Sequence, residues 1–249
     1  MSDWPAGYGR LVLDEVDSTL NVAREMAGDL AEPTWILAHR QTAARGRRGR
    51  RWAMAPGNFA ATLVMRPAEP AGQAALRSFV MSLALLEALE AEGDQAGAWA
   101  LKWPNDVLLD ERKLAGILLE SAGGAPGLVY LAIGVGVNLV EAPPAGALEA
   151  GAMAPVSLHQ QAGRAPTPEV FLHSLAVAYA RREAQFIAEG FAPIRQAWLA
   201  RAARRGTMIR ARMMQREVSG IFEDVDAEGN LVLGTPGGQL SLPAADIYF

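Results

Sequence analysis

The sequence predicts an α+β fold: a central mixed sheet flanked by helices, with a small β-barrel-like unit at the C-terminal end. Three observations predict it. Strand-like and helix-like segments alternate from Arg10 to Ala203. Leu114–Glu120 and Leu128–Val137 are nearly continuous in apolar residues, the pattern of strands buried on both faces. After Arg204-Arg205-Gly206 come about 44 residues of short strands between turn signals. A chain of 249 residues, 51% hydrophobic, accommodates one large unit over 1–204 and a small one over 205–249.

In chain order, Arg10–Val16 reads as a strand, and Ser18 as the N-cap of a helix reaching about Met26. Thr34–His39 is a strand feeding an arginine-rich loop, and Asn58–Met65 is the strand leaving it. Ala74–Ala91 is apolar on one face and rich in Ala and Leu, hence a helix. Ala98–Trp103 and Val107–Leu109 are short strands ahead of the two buried ones. Pro143–Pro168 is a connection with a short helix, and Glu169–Glu189 and Pro193–Ala203 are helices. The tail holds strands at Thr207–Arg212, Glu217–Asp224, Asn230–Leu233 and Gln239–Leu242.

Composition excludes several classes. No apolar run approaches the ~18 residues of a membrane span. No secretory signal opens the chain. The absence of cysteine removes disulfides, thiolate metal sites and cysteine nucleophiles, and fits the cytoplasm. His39, His159 and His173 have no metal-ligand spacing.

The net charge of −4 conceals an asymmetry. Six arginines and no acid lie between His39 and Arg51, and seven more between Arg195 and Arg216; without these 13 the chain would carry −17. Positive charge placed this way points to an anionic partner. Only Lys102 and Lys113 are lysines among 23 basic residues, which suggests a need for a compact ammonium at those two positions, with chance as the competing reading.

Arg45-Gly46-Arg47-Arg48-Gly49-Arg50-Arg51-Trp52 places five arginines in seven residues. Alone they would repel one another and leave the loop disordered. An anion would order it, because guanidinium forks match phosphate and carboxylate, and the glycines let backbone N–H groups come close. A solvated basic loop, or a patch for nucleic acid, is the competing reading. Lys102-Trp103-Pro104-Asn105-Asp106 is a hairpin corner that would set Asn105 and Asp106 at a strand end, within reach of ribose, phosphate or hydrated Mg²⁺. Lys113-Leu114-Ala115-Gly116-Ile117-Leu118-Leu119-Glu120 starts a buried strand with a lysine at its mouth. Gly134-Val135-Gly136-Val137-Asn138 weakens a strand where a ligand could lie against it. Neither a P-loop, nor a complete dinucleotide fingerprint, nor a G-x-S-x-G elbow is present.

Taken in order, Asp17-Ser18-Thr19, Gln41–Trp52, Lys102–Asp106, Lys113–Glu120 and Gly134–Asn138 closely resemble the biotin–protein ligases over most of residues 9–140, and more loosely over the β-rich tail. The resemblance implies the biotin/lipoate ligase catalytic fold with an SH3-like C-terminal barrel. It implies ATP-dependent activation of biotin as biotinyl-5′-AMP, with Mg²⁺, then transfer to one lysine of a biotin carboxyl carrier domain, that of acetyl-CoA carboxylase first of all. It implies that Ser18, Thr19, Leu20, Gln41, Arg45, Gly46 and Arg47 meet biotin, with Lys113 bridging its carboxylate and the α-phosphate. Gly116, Gly134 and Gly136 would let the bicycle and valeryl chain lie on the sheet. Arg47, Arg48, Arg50, Trp52, Asn105, Asp106 and Asn138 would serve the nucleotide, with Lys113, Arg48 and Arg50 catalytic and Asp106 holding Mg²⁺. Two positions depart from the family pattern: Leu20 stands where asparagine is usual, with Asn21 one later, and Ala44 replaces the loop's first glycine.

Some members carry an N-terminal DNA-binding domain; the residues before Asp17 are too few for one, so a monofunctional ligase without DNA or membrane partners is expected. Members that pair through the sheet and members that act alone both exist, and a homodimer stays open. Lipoate or octanoate ligation is the neighbouring enzymatic alternative, and a nucleic-acid-binding module the alternative from another class.

Overall fold

The computed structural model describes residues 3–93, 96–124, 127–144, 153–213 and 216–249. A seven-stranded sheet carries the fold. Its strands are β1 (Gly9–Val16), β2 (Thr34–Gln41), β3 (Phe59–Met65), β4 (Trp99–Lys102), β5 (Asp106–Leu109), β6 (Arg112–Gly124) and β7 (Gly127–Val137), in the order β1-β2-β3-β7-β6-β5-β4. β1 and β2 are parallel, joined through helix α1 (Thr19–Met26), and every other pairing is antiparallel. The sheet is therefore mixed, as expected.

All seven residues of β3 are buried, which explains why six of them are apolar, Thr62 being the exception. Leu63, Ile133, Val135 and Val137 face one side, under α3 (Arg77–Gly93), α5 (Pro168–Glu189) and α6 (Phe191–Ala200). Ile36, Val64 and Ala132 face the other side, under Leu20, Ala23 and Ala27 of α1. A helix as short as α1 covers only part of that second face. The part beyond it, over β6 and β7, is where the site lies.

Several boundaries move for local reasons. The single helix expected over Ala74–Ala91 is two, α2 (Ala71–Ala75) and α3, because Leu76 N–H bonds back to the Gln73 carbonyl in a tight turn. α5 opens one residue early because Pro168 occupies its first turn behind the Thr167 cap. Gly190, at φ 76°, ends α5 and admits α6 directly. The short helix of the Pro143–Pro168 connection is α4 (Leu158–Ala162); residues 145–152 of that connection lie outside the described residues.

The outer edge of β4 is covered. Leu101 N–H donates to the Arg201 carbonyl at 2.8 Å, and Ala203 N–H to the Leu101 carbonyl at 2.8 Å. The chain then enters a second, antiparallel sheet of β8 (Met208–Arg212), β9 (Glu217–Val225), β10 (Leu231–Thr235), β11 (Gly238–Leu242) and β12 (Asp246–Tyr248), ordered β11-β10-β9-β8-β12. Among the described residues β11 and β12 are its two open edges, so the ladder does not close. Trp103 Nε1 donates to the Gly229 carbonyl at 3.1 Å and ties this sheet to the first. No described helix is long and apolar enough to cross a membrane.

The second arginine cluster finds its anions within the chain. Arg195 pairs with Asp224, Arg201 with Glu90, Arg204 with Glu111 and Arg210 with Glu217. At these four arginines the expected external anion gives way to an internal one, and Arg195 thereby ties α6 to β9.

Candidate active site

A cleft of about 400 Å³ opens on the α1 face of the first sheet. Strand register builds its floor. Lys102 of β4 pairs with Asp106 of β5, Asp106 with Gly116 of β6, Gly116 with Gly136 of β7, and Gly136 with Ala60 of β3. One row across five strands thus runs from two charged residues, through two glycines, to an alanine; the first four line the cleft and Ala60 lies buried beyond them. The side chains of a row share a face, so the floor is ionic at one end and flat and apolar at the other.

At the ionic end, Lys113 Nζ lies 2.7 Å from Asp106 Oδ1 and 5.6 Å from the Trp52 ring centre. Lys113 is held from behind: its N–H donates to the Ala154 carbonyl and its carbonyl accepts from Val156 N–H. Burial pulls the Lys102 ammonium below its ordinary pKa, and Lys113 and Arg47 pull it further down, while Asp106 opposes them. Burial likewise lowers Arg47, against Asp246 and Asp106. Asn105 is stitched to β6, where its carbonyl accepts from Ile117 N–H and its Nδ2 donates to the Ile117 carbonyl.

At the apolar end, α1 presents its N-terminus. Ser18 is the expected N-cap, its Oγ accepting from Leu20 N–H at 3.3 Å. Gln41 Oε1 accepts from Thr19 N–H at 2.7 Å and from Thr19 Oγ1 at 3.2 Å. Leu20 is buried against Gly134, where a Cβ would come 3.2 Å from its side chain. At Gly136 a Cβ would come 2.6 Å from the Trp52 indole. The two glycines make room for the protein's own Leu20 and Trp52 as well as for a ligand.

The arginine loop roofs the cleft. Gly46 N–H donates to the Arg50 carbonyl at 2.7 Å and Trp52 N–H to the Ala44 carbonyl at 3.0 Å, closing the loop around the tight turn Arg47–Gly49. Arg45 makes a forked pair with Glu120, at 3.0 and 2.9 Å, and a third bond to Asn21 Oδ1 at 2.9 Å. Asn21, in turn, donates to Asp17. Asp246, only 12% exposed, holds Arg48 at 2.5 Å and Arg50 at 3.2 Å. The loop is therefore ordered by Glu120 and Asp246 of this chain, where the sequence suggested that an external anion was needed. Ala44 does not have a positive φ, so alanine in place of glycine costs the backbone nothing there.

Of the residues singled out from the sequence, Ser18, Thr19, Leu20, Gln41, Arg45, Gly46, Arg47, Arg50, Trp52, Asn105, Asp106, Lys113, Gly116, Gly134, Gly136 and Asn138 all line this cleft. Arg48 does not; its guanidinium is taken up by Asp246. Asn138 is 2% exposed, and its Nδ2 donates to the Val156 carbonyl, so it anchors the segment behind Lys113. Sequence reasoning missed the wall supplied by Arg212, Asp246, Ile247 and Tyr248 of the second sheet. β12 is three residues long and no turn pattern announces it. Lys102 was marked by its rarity but not given a place.

Cations outnumber acids here, with Lys102, Lys113, Arg47 and Arg50 against Asp106 and Asp246. A polyanion is the natural occupant of that half. No group of three potential metal ligands exists among the described residues. Two carboxylates already paired with cations suit a Mg²⁺ that arrives on phosphate oxygens rather than a resident ion.

The sequence matches the Biotin/lipoate A/B protein ligase family over residues 13–138 and the Biotin protein ligase C terminal domain over residues 206–249. It is 52% identical to the biotin–[acetyl-CoA-carboxylase] ligase of Paracoccus denitrificans, over 96% of this chain and 99% of that protein. It is 32% identical to the bifunctional ligase/repressor BirA of Bacillus subtilis, over 94% of this chain and 72% of that protein. The fold superposes on the biotin protein ligase of Aquifex aeolicus, solved in complex with biotin and ATP, with a TM-score of 0.79 at 23% identity, covering 96% of this chain and 97% of that one. With the match spanning the whole sheet that floors the cleft, this chain belongs to the Biotin/lipoate A/B protein ligase family and, within it, to the biotin protein ligases.

Proposed function

We propose that the two ends of the cleft divide the reaction of an ATP-dependent biotin ligase between them. The single observation that carries the reading is the row Lys102-Asp106-Gly116-Gly136-Ala60, with Lys113 where its ionic and apolar parts meet. The bicyclic head of biotin sits at Ser18, Thr19, Leu20 and Gln41. The valeryl chain crosses Gly134, Gly136 and Gly116 and brings the carboxylate to Lys113. Arg47, Arg50 and Lys102 take the triphosphate, Asp106 faces its Mg²⁺, and Trp52 and Asn105 flank the nucleoside.

Two unit charges 4 Å apart repel by about 4 kcal/mol at an effective dielectric near 20, so a carboxylate cannot approach a triphosphate without cations between them. Lys113 supplies one at the reacting pair. A biotin carboxylate oxygen attacks the α-phosphorus and pyrophosphate leaves. A lysine amine of the acceptor then attacks the acyl carbon, the acyl–oxygen bond to phosphate breaks, and AMP leaves with the amine proton passing to solvent.

The acceptor is the biotin carboxyl carrier domain of acetyl-CoA carboxylase, the enzyme named in the Paracoccus relative's activity. We take residues 1–204 as the catalytic unit and 205–249 as a unit that completes one wall of its cleft, and place the protein in the cytoplasm, in keeping with its lack of cysteine. Nucleic-acid binding is disfavoured, because four arginines of the second cluster are paired with the chain's own acids and the first cluster roofs the cleft.

The test is incubation of the purified protein with biotin, ATP and Mg²⁺ without acceptor, followed by mass spectrometry. Biotinyl-5′-AMP at about one per chain, consumed on addition of apo-carrier domain, is expected. Lipoate and octanoate are run in parallel, and an adduct with either of these but not with biotin overturns the assignment.

A further inference from the structure

β3 reads Phe-Ala-Ala-Thr-Leu-Val-Met, and Thr62 is the one polar side chain in that fully buried run. It is 0% exposed and does not line the cleft. A buried hydroxyl without a partner is costly, and Thr62 has one: its Oγ1 lies 2.8 Å from Thr19 Oγ1. The proton positions along this chain follow from its far end. Thr19 N–H can only donate, so the Gln41 atom 2.7 Å away must be the amide oxygen. Thr19 Oγ1 lies 3.2 Å from the same oxygen and so gives its proton to it. With that proton committed, the bond between the two threonines is donated by Thr62.

We propose that Thr62 is a positioning residue that holds the Thr19 hydroxyl in place at the head-group end of the cleft, occupying one of its two acceptor positions while Gln41 takes its proton. With its proton on Gln41 and one lone pair taken by Thr62, Thr19 Oγ1 offers the ligand a single acceptor. Gln41, its oxygen occupied twice, offers only Nε2, which directs one proton to Met54 Sδ at 3.9 Å and keeps the other for the ligand. Ser18 Oγ accepts from Leu20 N–H, which leaves its own proton to donate. The wall therefore presents two donors and one acceptor. A cyclic urea matches this, with a carbonyl that accepts twice and an N–H that donates. A dithiolane or a plain fatty acid offers no such groups, and would leave all three wall groups unpaired. The inference rests on the reading above that this end receives the biotin head.

The experiment compares Thr62→Val, Thr62→Ser and Thr19→Val by steady-state adenylation, measuring KM for biotin, for desthiobiotin and for ATP, with a thermal melt of each. Thr62→Val is expected to raise the KM for biotin about tenfold, and equally for desthiobiotin, which keeps the urea and lacks the sulfur, with the KM for ATP changed less than about twofold. Thr62→Ser restores the hydroxyl and should return the biotin KM to within about threefold of the parent. If the valine variant does not fold, Thr62→Ala replaces it. A biotin KM shifted less than about twofold by Thr62→Val while Thr19→Val raises it strongly overturns the proposal alone. So does a penalty shared by ATP, spared by desthiobiotin or not relieved by serine. A Thr19→Val variant with unchanged biotin KM overturns the underlying placement of the head group instead.

Discussion

Lys113 Nζ and Asp106 Oδ1 form an ion pair of 2.7 Å across the floor of the cleft, with Gly116 directly beneath both side chains. Without ligand, the ammonium placed to meet a carboxylate from outside already holds one from inside. On the proposed reading, substrate carboxylate and α-phosphate would draw Lys113 from Asp106, and the freed carboxylate would be available to a Mg²⁺ carried by the phosphates.

Replacing Lys113 by alanine should lower the rate of pyrophosphate release at least about 100-fold, because the charge it supplies acts at the reacting atoms. Its side chain is 30% exposed, so the chain should remain folded. Unchanged turnover in a folded Lys113→Ala variant would mean that the cation at this junction is not needed.

Arg47→Gly should release biotinyl-5′-AMP at least about tenfold faster, since the variant removes a half-buried guanidinium from the roof and sets a second glycine beside Gly46. Stopped-flow dissociation of the preformed adenylate measures this directly.

Asp246→Asn removes the carboxylate shared by Arg48 and Arg50. Both arginines are well exposed, and such pairs contribute little to global stability, so the melting temperature should hardly move. Local order is another matter: limited trypsin digestion should cut after Arg47–Arg51 several times faster, by roughly fivefold. ATP should restore protection, because its phosphates would replace the lost carboxylate.

Gly136→Ala should impair biotin use without straining the backbone, since φ at this residue is not positive. The new methyl group would meet the Trp52 indole at 2.6 Å and force it toward the substrate. A rise of about tenfold in the KM for biotin is expected, and relief on combining the change with Trp52→Ala would confirm the steric cause by a double-mutant cycle.

Lys102 should give ATP binding an early alkaline limb. Its folded pKa lies below the ordinary 10.5, so it loses charge before a solvated lysine does. For stability the sign is the opposite of a salt-bridged lysine: the charged form is disfavoured in the fold at neutral pH, and the penalty is relieved as pH rises through the folded pKa toward 10.5. For function the charge is what phosphate needs, so the KM for ATP should rise over the same window. Lys102→Arg should move that limb to higher pH, and an identical profile in both proteins would remove Lys102 from phosphate binding.

The parts of this molecule legible in the sequence are those whose signal is local. Ser18 announces α1 because a cap is a contact two residues long, and the apolar runs of β6 and β7 announce burial. The glycines at 116, 134 and 136 were readable as close approaches, although only register shows that Gly116 and Gly136 are neighbours. What stayed hidden depends on contacts between distant residues. Asp246 is 196 residues from Arg50, and nothing in Ala-Ala-Asp-Ile-Tyr-Phe marks it as the counterion of an arginine loop. Asn21 looked like a displaced motif residue, and only the fold shows it gripping Arg45. The seven arginines near the junction read as an anion site because their partners, at 90, 111 and 224, are far away in the chain.

Both lysines of this protein lie in the cleft, one tied to Asp106 and one lodged beneath Phe249. An acyl phosphate made here is a potent acylating agent toward amines, yet the outer surface, furnished with guanidinium groups instead, offers it no lysine to modify. An escaping intermediate would find no lysine on the outer surface of its maker and would react with a neighbouring protein, so labelling of bystanders well above labelling of the enzyme is the signature that a leaking catalyst of this composition would leave.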